Sequence, residues 1–508
     1  MAILYFLNAF HVGGIIFLAW GINLVYVAFR QGLRDIPGPL VARFSSLWRL
    51  LLVRKGKAHD EYRKLHQTYG QVVRTAPHVV DISDPAAISA IYGINSKFLK
   101  SPFYHTLDVM IDDSFAPSMF TTTSPEEHKA LKRPVAQKFS MTSIRTLEYL
   151  VDPCCEIFTT AMKEMEGKVI DLGVWVQWYA FDAIGAITFA ERFGFMERRE
   201  DIHNVISGIE TGLKYAGLIG QLPWLHPFLL GSLTVRTIIR KLSFQDPVET
   251  VTRMVLDAMQ RYDDGDNSTD RVDFLGFLRQ QQKSTGKPMP RGELMNHLTN
   301  NLLAGSDTTA ISLRAVFYYV IQDQRIYKKL QEEVDSFQAA GKLSPVISFA
   351  ESLEMEYLQL CLKEAMRMHP GVSYPLERLV PAGGVHLGGQ YLPEGTVVGM
   401  NPAVVHRDRE VFGEDADVFR PERWLGEDDE VANMDRHLLT FGAGARTCIG
   451  KNISIMEMGK LVPQVLRQFE LQWASEKPEW DIDTYWFAKQ SGVQVRFKER
   501  FPGRQSEM

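Results

Sequence analysis

Cysteine is scarce in this sequence, with four in 508 residues: Cys154, Cys155, Cys361 and Cys448. Cys154 and Cys155 are neighbours and not a CxxC pair, so there is no disulfide framework, and the spacing speaks against a zinc site. The pattern suits a reducing compartment, where a single cysteine is kept for its own chemistry or packs as a small hydrophobe. From about residue 35 onward there is no Ser/Gly-rich tract, no internal repeat and no long run of like charge, and so no mark of a linker. Length alone suggests about three domains at roughly 150 residues each; without a linker, one large domain is the expectation. A net charge of −5 gives no hint of nucleic-acid binding. With 45% hydrophobic and 23% charged residues, the chain is globular and too mixed for a polytopic membrane protein.

One segment lacks charge almost entirely. From Ile3 to Phe29 no acidic or basic side chain occurs apart from His11. As a helix rising about 1.5 Å per residue it is roughly 40 Å long, more than a bilayer core requires. A cleaved signal peptide would need a basic start, a shorter apolar run and a small-residue cleavage site, none of which is evident. An uncleaved anchor over residues 1–30 is therefore expected, with residues 31–508 as the catalytic domain. Basic residues follow the span (Arg30, Arg34, Arg43, Arg49, Arg54, Lys55, Lys57) and none precedes it, which places the bulk of the chain on the cytosolic side. The prolines of Ile36-Pro-Gly-Pro-Leu40 stiffen the exit. A second apolar stretch, residues 218–230 with Trp224, suits the membrane surface.

The remaining pattern is mainly α with small β-sheets near the two ends. Residues 72–82, VVRTAPHVVDI, read as a hairpin, Val385 to Val405 as a strand-rich patch, and 493–497 as a half-buried strand. Everything between about 125 and 370 looks helical.

Three constellations carry chemistry. Around Cys448, FGAGARTCIG (441–450) supplies glycines at 442, 444 and 450. These allow positive φ and let a large ligand lie against the main chain, while amide N–H groups hold a thiolate against a metal. Arg446 is placed to pair with a carboxylate on the same ligand. In Leu303-Ala-Gly-Ser-Asp-Thr-Thr-Ala310, Gly305 costs about 1 kcal/mol inside a helix, so something wants backbone close by. That segment reads either as a core helix whose threonines bond back one turn, or as a helix opened locally to present Asp307 and Thr308. Glu364 and Arg367 stand three apart on an apolar helix, where a buried pair must satisfy its remaining groups; Arg423 is a candidate third member.

On Phe441 to Gly450, Ala304-Gly305-x-Asp307-Thr308, Glu364-x-x-Arg367 and Pro421-Glu-Arg423-Trp424, in that family's order, the chain resembles the cytochrome P450 superfamily of haem-thiolate monooxygenases. The segments IPGPLVARFSSLWRL, HKALKRPVAQKFSMTSI and HPGVSYPLERLVPAGG are similar to fungal members of the pisatin-demethylase-like group. The resemblance implies the P450 fold and haem b (iron-protoporphyrin IX) with Cys448 as axial ligand. It further implies a cofactor contact surface of Phe441, Gly442, Gly450, Arg446, Ala304 and Gly305. Asp307 and Thr308 would line the distal side as proton relay, and Glu364, Arg367 and Arg423 would form a structural triad. His128-x-x-x-Lys132 stands where the family often has Trp-x-x-x-Arg, and whether Lys132 or the adjacent Arg133 reaches the propionate is open.

The implied partners are a small hydrophobic substrate, O2, membrane lipid and NADPH-cytochrome P450 reductase, with cytochrome b5 as a further candidate. The implied setting is the endoplasmic reticulum membrane and fungal secondary metabolite biosynthesis. The pocket is expected around Phe98 to Phe120, the helix before Ala304, Val372 to Leu376, and Trp486-Phe487. Alternative readings are a detoxifying demethylase, a P450-fold isomerase or coupling enzyme without net oxygenation, and a non-enzymatic haem protein.

Overall fold

The structure, a computed structural model, describes residues 2–111, 114–241, 247–265, 272–285 and 289–502, and the side chains of residues 2–10, 13, 16, 239–240, 247–248 and 282–285 fall outside that description. The molecule is mainly helical with small sheets. Its axis is one helix, Arg291–Gln322. Pro290 precedes it, with φ preset at −53° and no amide proton to satisfy. Apolar residues surround this helix and it is buried along most of its length, the expected outcome when hydrophobicity has no single stripe. It packs against Leu172–Phe189, Glu356–Met368 and Lys451–Gln468. The first of these starts where the Asp171 carboxylate accepts the Val174 amide at 3.1 Å, an N-cap that ends a short strand and begins the helix.

A five-stranded sheet lies to one side, in the order Val72–Ala76, Val79–Ile82, Val397–Gly399, Arg378–Leu379, Leu99–Lys100. The hairpin read from residues 72–82 is its edge, and the Val385–Val405 patch supplies Val397–Gly399 and a separate two-stranded ribbon. Residues 125–370 are not wholly helical. Val169–Asp171 is a strand, held by Gln494–Glu499 from the far end of the chain, so its alternation is satisfied by a partner more than 300 residues away.

The first helix runs Ala2–Ala28, and its described side chains Phe17, Leu18, Trp20, Ile22 and Val25 are exposed. Among the described residues no helix is long and apolar enough to cross a membrane; the expected span falls in part on the first ten residues, whose side chains lie outside the described ones. The buried Arg74 guanidinium closes this helix, donating to the carbonyls of Val27 and Ala28 at 2.8 Å each, and to Leu33 and Pro77. Those carbonyls are helix-end acceptors with no partner inside the helix. One basic residue counted after the span is spent in the core: Arg49 is buried, bonded to Tyr62 and paired with Glu377 at 2.7 Å.

Candidate active site

The loop 441–450 folds back on itself. The Cys448 amide donates to the Phe441 carbonyl at 2.8 Å, and positive φ at Gly442 (68°) and Gly444 (62°) makes the turn. At Gly444 a side chain is also excluded by space, since a Cβ would lie 1.9 Å from the Tyr92 carbonyl oxygen. Gly450 departs from expectation: its φ is −81°, and it serves as the N-cap of Lys451–Gln468. The thiol thus stands at a helix N-terminus, where amide protons are unclaimed. Burial pushes the Cys448 thiol up, and hydrogen bonds from the Gly450 and Lys451 amides oppose this. Its side chain is nevertheless exposed. A sulfur that is both desolvated and accessible faces an internal gap. Cys154, Cys155 and Cys361 are buried, with thiols raised by burial.

On the long helix, Leu302, Ser306, Asp307, Thr309 and Ala310 are buried, whereas Ala304 is exposed and Thr308 half-exposed. Residues four apart share a face, so one open face runs through 304 and 308. The helix is not opened locally. It is helical throughout, and the Thr308 hydroxyl donates to the Ala304 carbonyl at 2.7 Å, the back-bond of the alternative reading.

Asp307 does not line this face. Successive helical residues point about 100° apart, and its carboxylate turns to the helix Leu172–Phe189, where Oδ1 accepts from Gln177. Gln177 also accepts from Arg314, which donates to the Gly173 carbonyl at 2.6 and 3.0 Å. Asp307 Oδ2 has no partner among the described residues. Burial raises the Asp307 carboxyl to about 6, opposed by Gln177 and Arg314. Gly305 also points elsewhere: a Cβ there would lie 2.7 Å from Ile184, so this glycine admits the neighbouring helix.

A cluster of cations rims the gap. Arg446 donates to the carbonyls of Met119 and Ser124 at 3.3 Å each, and Lys132 to that of Ala445 at 3.4 Å. Arg133, the competing candidate, is exposed at the helix C-cap. Sequence reasoning missed two members. Lys100 and Arg378 are directly opposed across adjacent strands, and both are buried. Lys100 bonds the Phe120 carbonyl and stands 4.0 Å from the centroids of Tyr104 and Phe120; Arg378 bonds Tyr104 and the Glu377 carbonyl. Like charges facing each other across strands are destabilising. Burial, then Arg378 and Arg446, pushes Lys100 well below its ordinary range. Burial, then Arg446, Lys132 and Lys100, lowers His128 to about 4. None of the bonds made by Lys100, Lys132, Arg378 and Arg446 among the described residues goes to a carboxylate. Unpaired buried cations ask for an anion. An accessible thiol under two amides, an open helix face and this rim fit a large flat group that carries a metal and two carboxylates, as iron-protoporphyrin IX does.

Behind the gap the triad residues meet. Glu364 and Arg367 pair at 2.8 Å with both side chains fully buried, and Arg423 reaches Glu364 at 2.7 Å. The carboxylate also accepts from the Arg420 amide and the Trp424 indole at 3.0 Å each. Arg367 donates onward to the His406 and Ala416 carbonyls at 2.7 Å. His406, also missed, is buried and neutral, its pKa lowered by burial to about 3. Its Nε2 accepts the Leu439 amide at 2.7 Å, two residues before Phe441, so it ties the triad to the cysteine loop.

Next to Ala304 lies a cavity of about 530 Å³. The expected segments 98–120, the helix before Ala304, and Trp486-Phe487 all contribute, but Val372 to Leu376 do not; residues 204–215 with His226 and Leu230 take their place. Tyr374 is instead packed in the core against Phe103 and Trp486.

The sequence profile of the Cytochrome P450 family matches residues 37–496. The cytochrome P450 monooxygenase cicH of Emericella nidulans is 37% identical over 95% of this chain and 97% of its own length. The monooxygenase gsfF of Penicillium aethiopicum is 35% identical over 98% and 100%. The monooxygenase pkfB of Emericella nidulans is 34% identical over 92% and 91%.

Proposed function

The chain belongs to the cytochrome P450 family of monooxygenases, and from that premise we propose that it inserts one atom of O2 into a C–H bond of a hydrophobic small molecule, by hydroxylation or oxidative dealkylation, in fungal secondary metabolite biosynthesis. The observation that carries the reading is the accessible Cys448 sulfur at a helix N-terminus, under the Gly450 and Lys451 amides and beside unpaired cations. A haem bound there supplies the oxidising power for the insertion. Cys448 would hold its iron through the thiolate, and Phe441, Gly442 and Gly450 would shape the loop against it. Arg446, Lys132, His128, Lys100 and Arg378 hold its carboxylates. Ala304 keeps the open helix face low, and Thr308 Oγ1, its own proton on the Ala304 carbonyl, would accept from and hold a water that delivers protons to O2. Asp307, its carboxyl raised by burial to about 6, stands behind that face as a group able to take up and release a proton, oriented by Gln177. Glu364, Arg367 and Arg423 brace the cysteine loop from behind.

Electrons come from NADPH-cytochrome P450 reductase. Residues 1–30 anchor the chain once in the endoplasmic reticulum membrane, with residues 31–508 cytosolic. Exposed Trp224, Phe228 and Leu229, and exposed Leu47 and Leu51 on the helix Leu47–Arg54 that packs on Val205–Ile219, support a second contact with the lipid surface. The test is the spectrum of the reduced protein with carbon monoxide. The strongly red-shifted Soret band of thiolate ligation should be present, absent in Cys448→Ala, and kept when Cys154, Cys155 or Cys361 is changed to Ser. Its persistence in Cys448→Ala would refute the assignment.

A further inference from the structure

The cavity beside Ala304 is apolar over most of its wall, through Leu107, Val109, Phe115, Phe120, Trp486 and Phe487. Among its polar residues, which also include Arg236 over the Phe115 ring, two kinds stand apart. Ser207 and Thr211 donate their hydroxyl protons to acceptors in their own helix region, and Asn300 gives its amide to Asn296. Asp108 and His226 are different. The Asp108 side chain is 7% exposed; Oδ2 meets His105 Nδ1 at 2.9 Å, and Oδ1 is buried with no partner among the described residues. His226 Nε2 is likewise buried and unpartnered. Both residues line the same cavity, and the Asp108 carboxylate is close enough to act on the imidazole, yet the two do not bond to each other.

The protons of this pair follow from its neighbours. Tyr215 OH lies 2.9 Å from His226 Nδ1 and accepts the Leu230 amide at 3.3 Å. A phenolic hydroxyl has one proton to give; we assign it to Nδ1, with the Leu230 amide on a lone pair of the same oxygen. Burial holds the imidazole below its ordinary pKa, so the ring is neutral and its single proton sits on Nε2. Among the atoms lining the cavity, those buried without a partner among the described residues are thus one acceptor, Asp108 Oδ1, and one donor, His226 Nε2–H. A buried donor and a buried acceptor each left unmade are costly, and a single group able to donate and accept satisfies both.

We propose that the substrate is an apolar molecule carrying a free hydroxyl, bound so that the hydroxyl donates to Asp108 Oδ1 and accepts from His226 Nε2. The inference rests on this cavity being the substrate pocket of the proposed monooxygenase. An ammonium group offers nothing for Nε2–H to bond, and an ether or ketone leaves Asp108 without a donor.

The test uses four probes on one skeleton: pyrene, 1-hydroxypyrene, 1-methoxypyrene and 1-pyrenemethylammonium. Their dissociation constants are measured on the solubilised full-length holoenzyme by equilibrium dialysis, without reductase or NADPH. 1-Hydroxypyrene should bind about 10-fold tighter than 1-methoxypyrene, a difference of about 1.4 kcal/mol, because only the hydroxyl can donate to the Asp108 carboxylate. In Asp108→Leu and in His226→Phe the preference should fall to about twofold or less. Affinity for pyrene, which makes neither bond, should stay as in wild type, which reports an intact cavity in each variant. Equal binding of the hydroxy and methoxy probes in wild type would mean that the pair holds only water and would overturn the proposal. So would a preference that survives both substitutions, or tighter binding of the ammonium probe. None of these titrations involves electron transfer or O2. A missing thiolate band unseats the monooxygenase reading and leaves the hydroxyl preference standing or falling by itself.

Discussion

Thr308 and Asp307 are adjacent in sequence but serve different faces of one helix, and each makes a separate claim. Thr308 Oγ1 is on the open face with its proton given to the Ala304 carbonyl, so its lone pairs face the gap. Thr308→Ala should still bind substrate and take up electrons, while product per NADPH falls and hydrogen peroxide rises. Placed proton donors contribute about 10² to 10⁴-fold, and a water replaces part of a lost hydroxyl. The ratio of product to NADPH decides; an unchanged ratio in the variant removes Thr308 from the relay. Asp307 is testable through stability. Its folded pKa of about 6 lies above the ordinary value because burial disfavours the charge. A group raised in the folded state stabilises fully below its unfolded pKa, and that contribution is lost as pH rises through the folded one. Denaturant unfolding between about pH 4 and 6 should therefore show wild type losing stability relative to Asp307→Asn. Parallel pH curves would place the Asp307 pKa at its unfolded value. The pairing of acid and alcohol was legible in the sequence, but the direction of the acid was not. The side chains that orient it, Gln177 and Arg314, lie 130 residues before it and two helical turns after it, and no local pattern marks them.

At the scale of elements, legibility tracks how local the contact is. Glu364 and Arg367 sit one turn apart, so their pairing follows from helical spacing; the rim cations Lys100 and Arg378 meet only because two short strands align in register. His406 escaped notice for the same reason, since its role depends on Leu439 being brought to it by the fold. Glycines divide likewise. Gly444 is legible as a turn, whereas Gly305 answers to Ile184 on another helix. The triad makes a sharp claim about the cysteine loop. Arg367→Ala removes donors to Glu364 and to three carbonyls and leaves a buried carboxylate short of charge. Breaking such a pair costs about 3 to 5 kcal/mol. The variant should purify with little haem and without the thiolate band, and normal haem content would reduce the pair to packing. Burial by itself pushes Glu364 up, but Arg367 and Arg423 hold it below the usual carboxylate range. Its stabilisation is present above the unfolded pKa, near 4.5, and is lost as pH falls below that. Acid should release haem from wild type in that window.

Across the whole molecule, the end of the N-terminal helix is bonded to the catalytic body in a way that the sequence did not reveal. Arg74, on the first strand, takes two of its four carbonyl partners from Val27 and Ala28. The helix end is thus part of the folded body, whatever the rest of the helix does. Protease added to sealed microsomes should digest the bulk of the chain, and protection of the bulk would reverse the proposed topology. Deleting residues 1–30 should weaken membrane association without abolishing it, because Trp224, Phe228 and Leu229 remain exposed. The same deletion should also destabilise the soluble part, because a buried guanidinium loses two acceptors at about 1 to 3 kcal/mol each, less whatever water replaces. Deleting residues 1–24 removes most of the apolar helix and keeps both carbonyls. Thermal unfolding should therefore place the 25–508 protein above the 31–508 protein, with equal flotation on vesicles. Identical melting temperatures would mean that solvent satisfies Arg74 as well as the helix end does, and the anchor would then be a separable appendage.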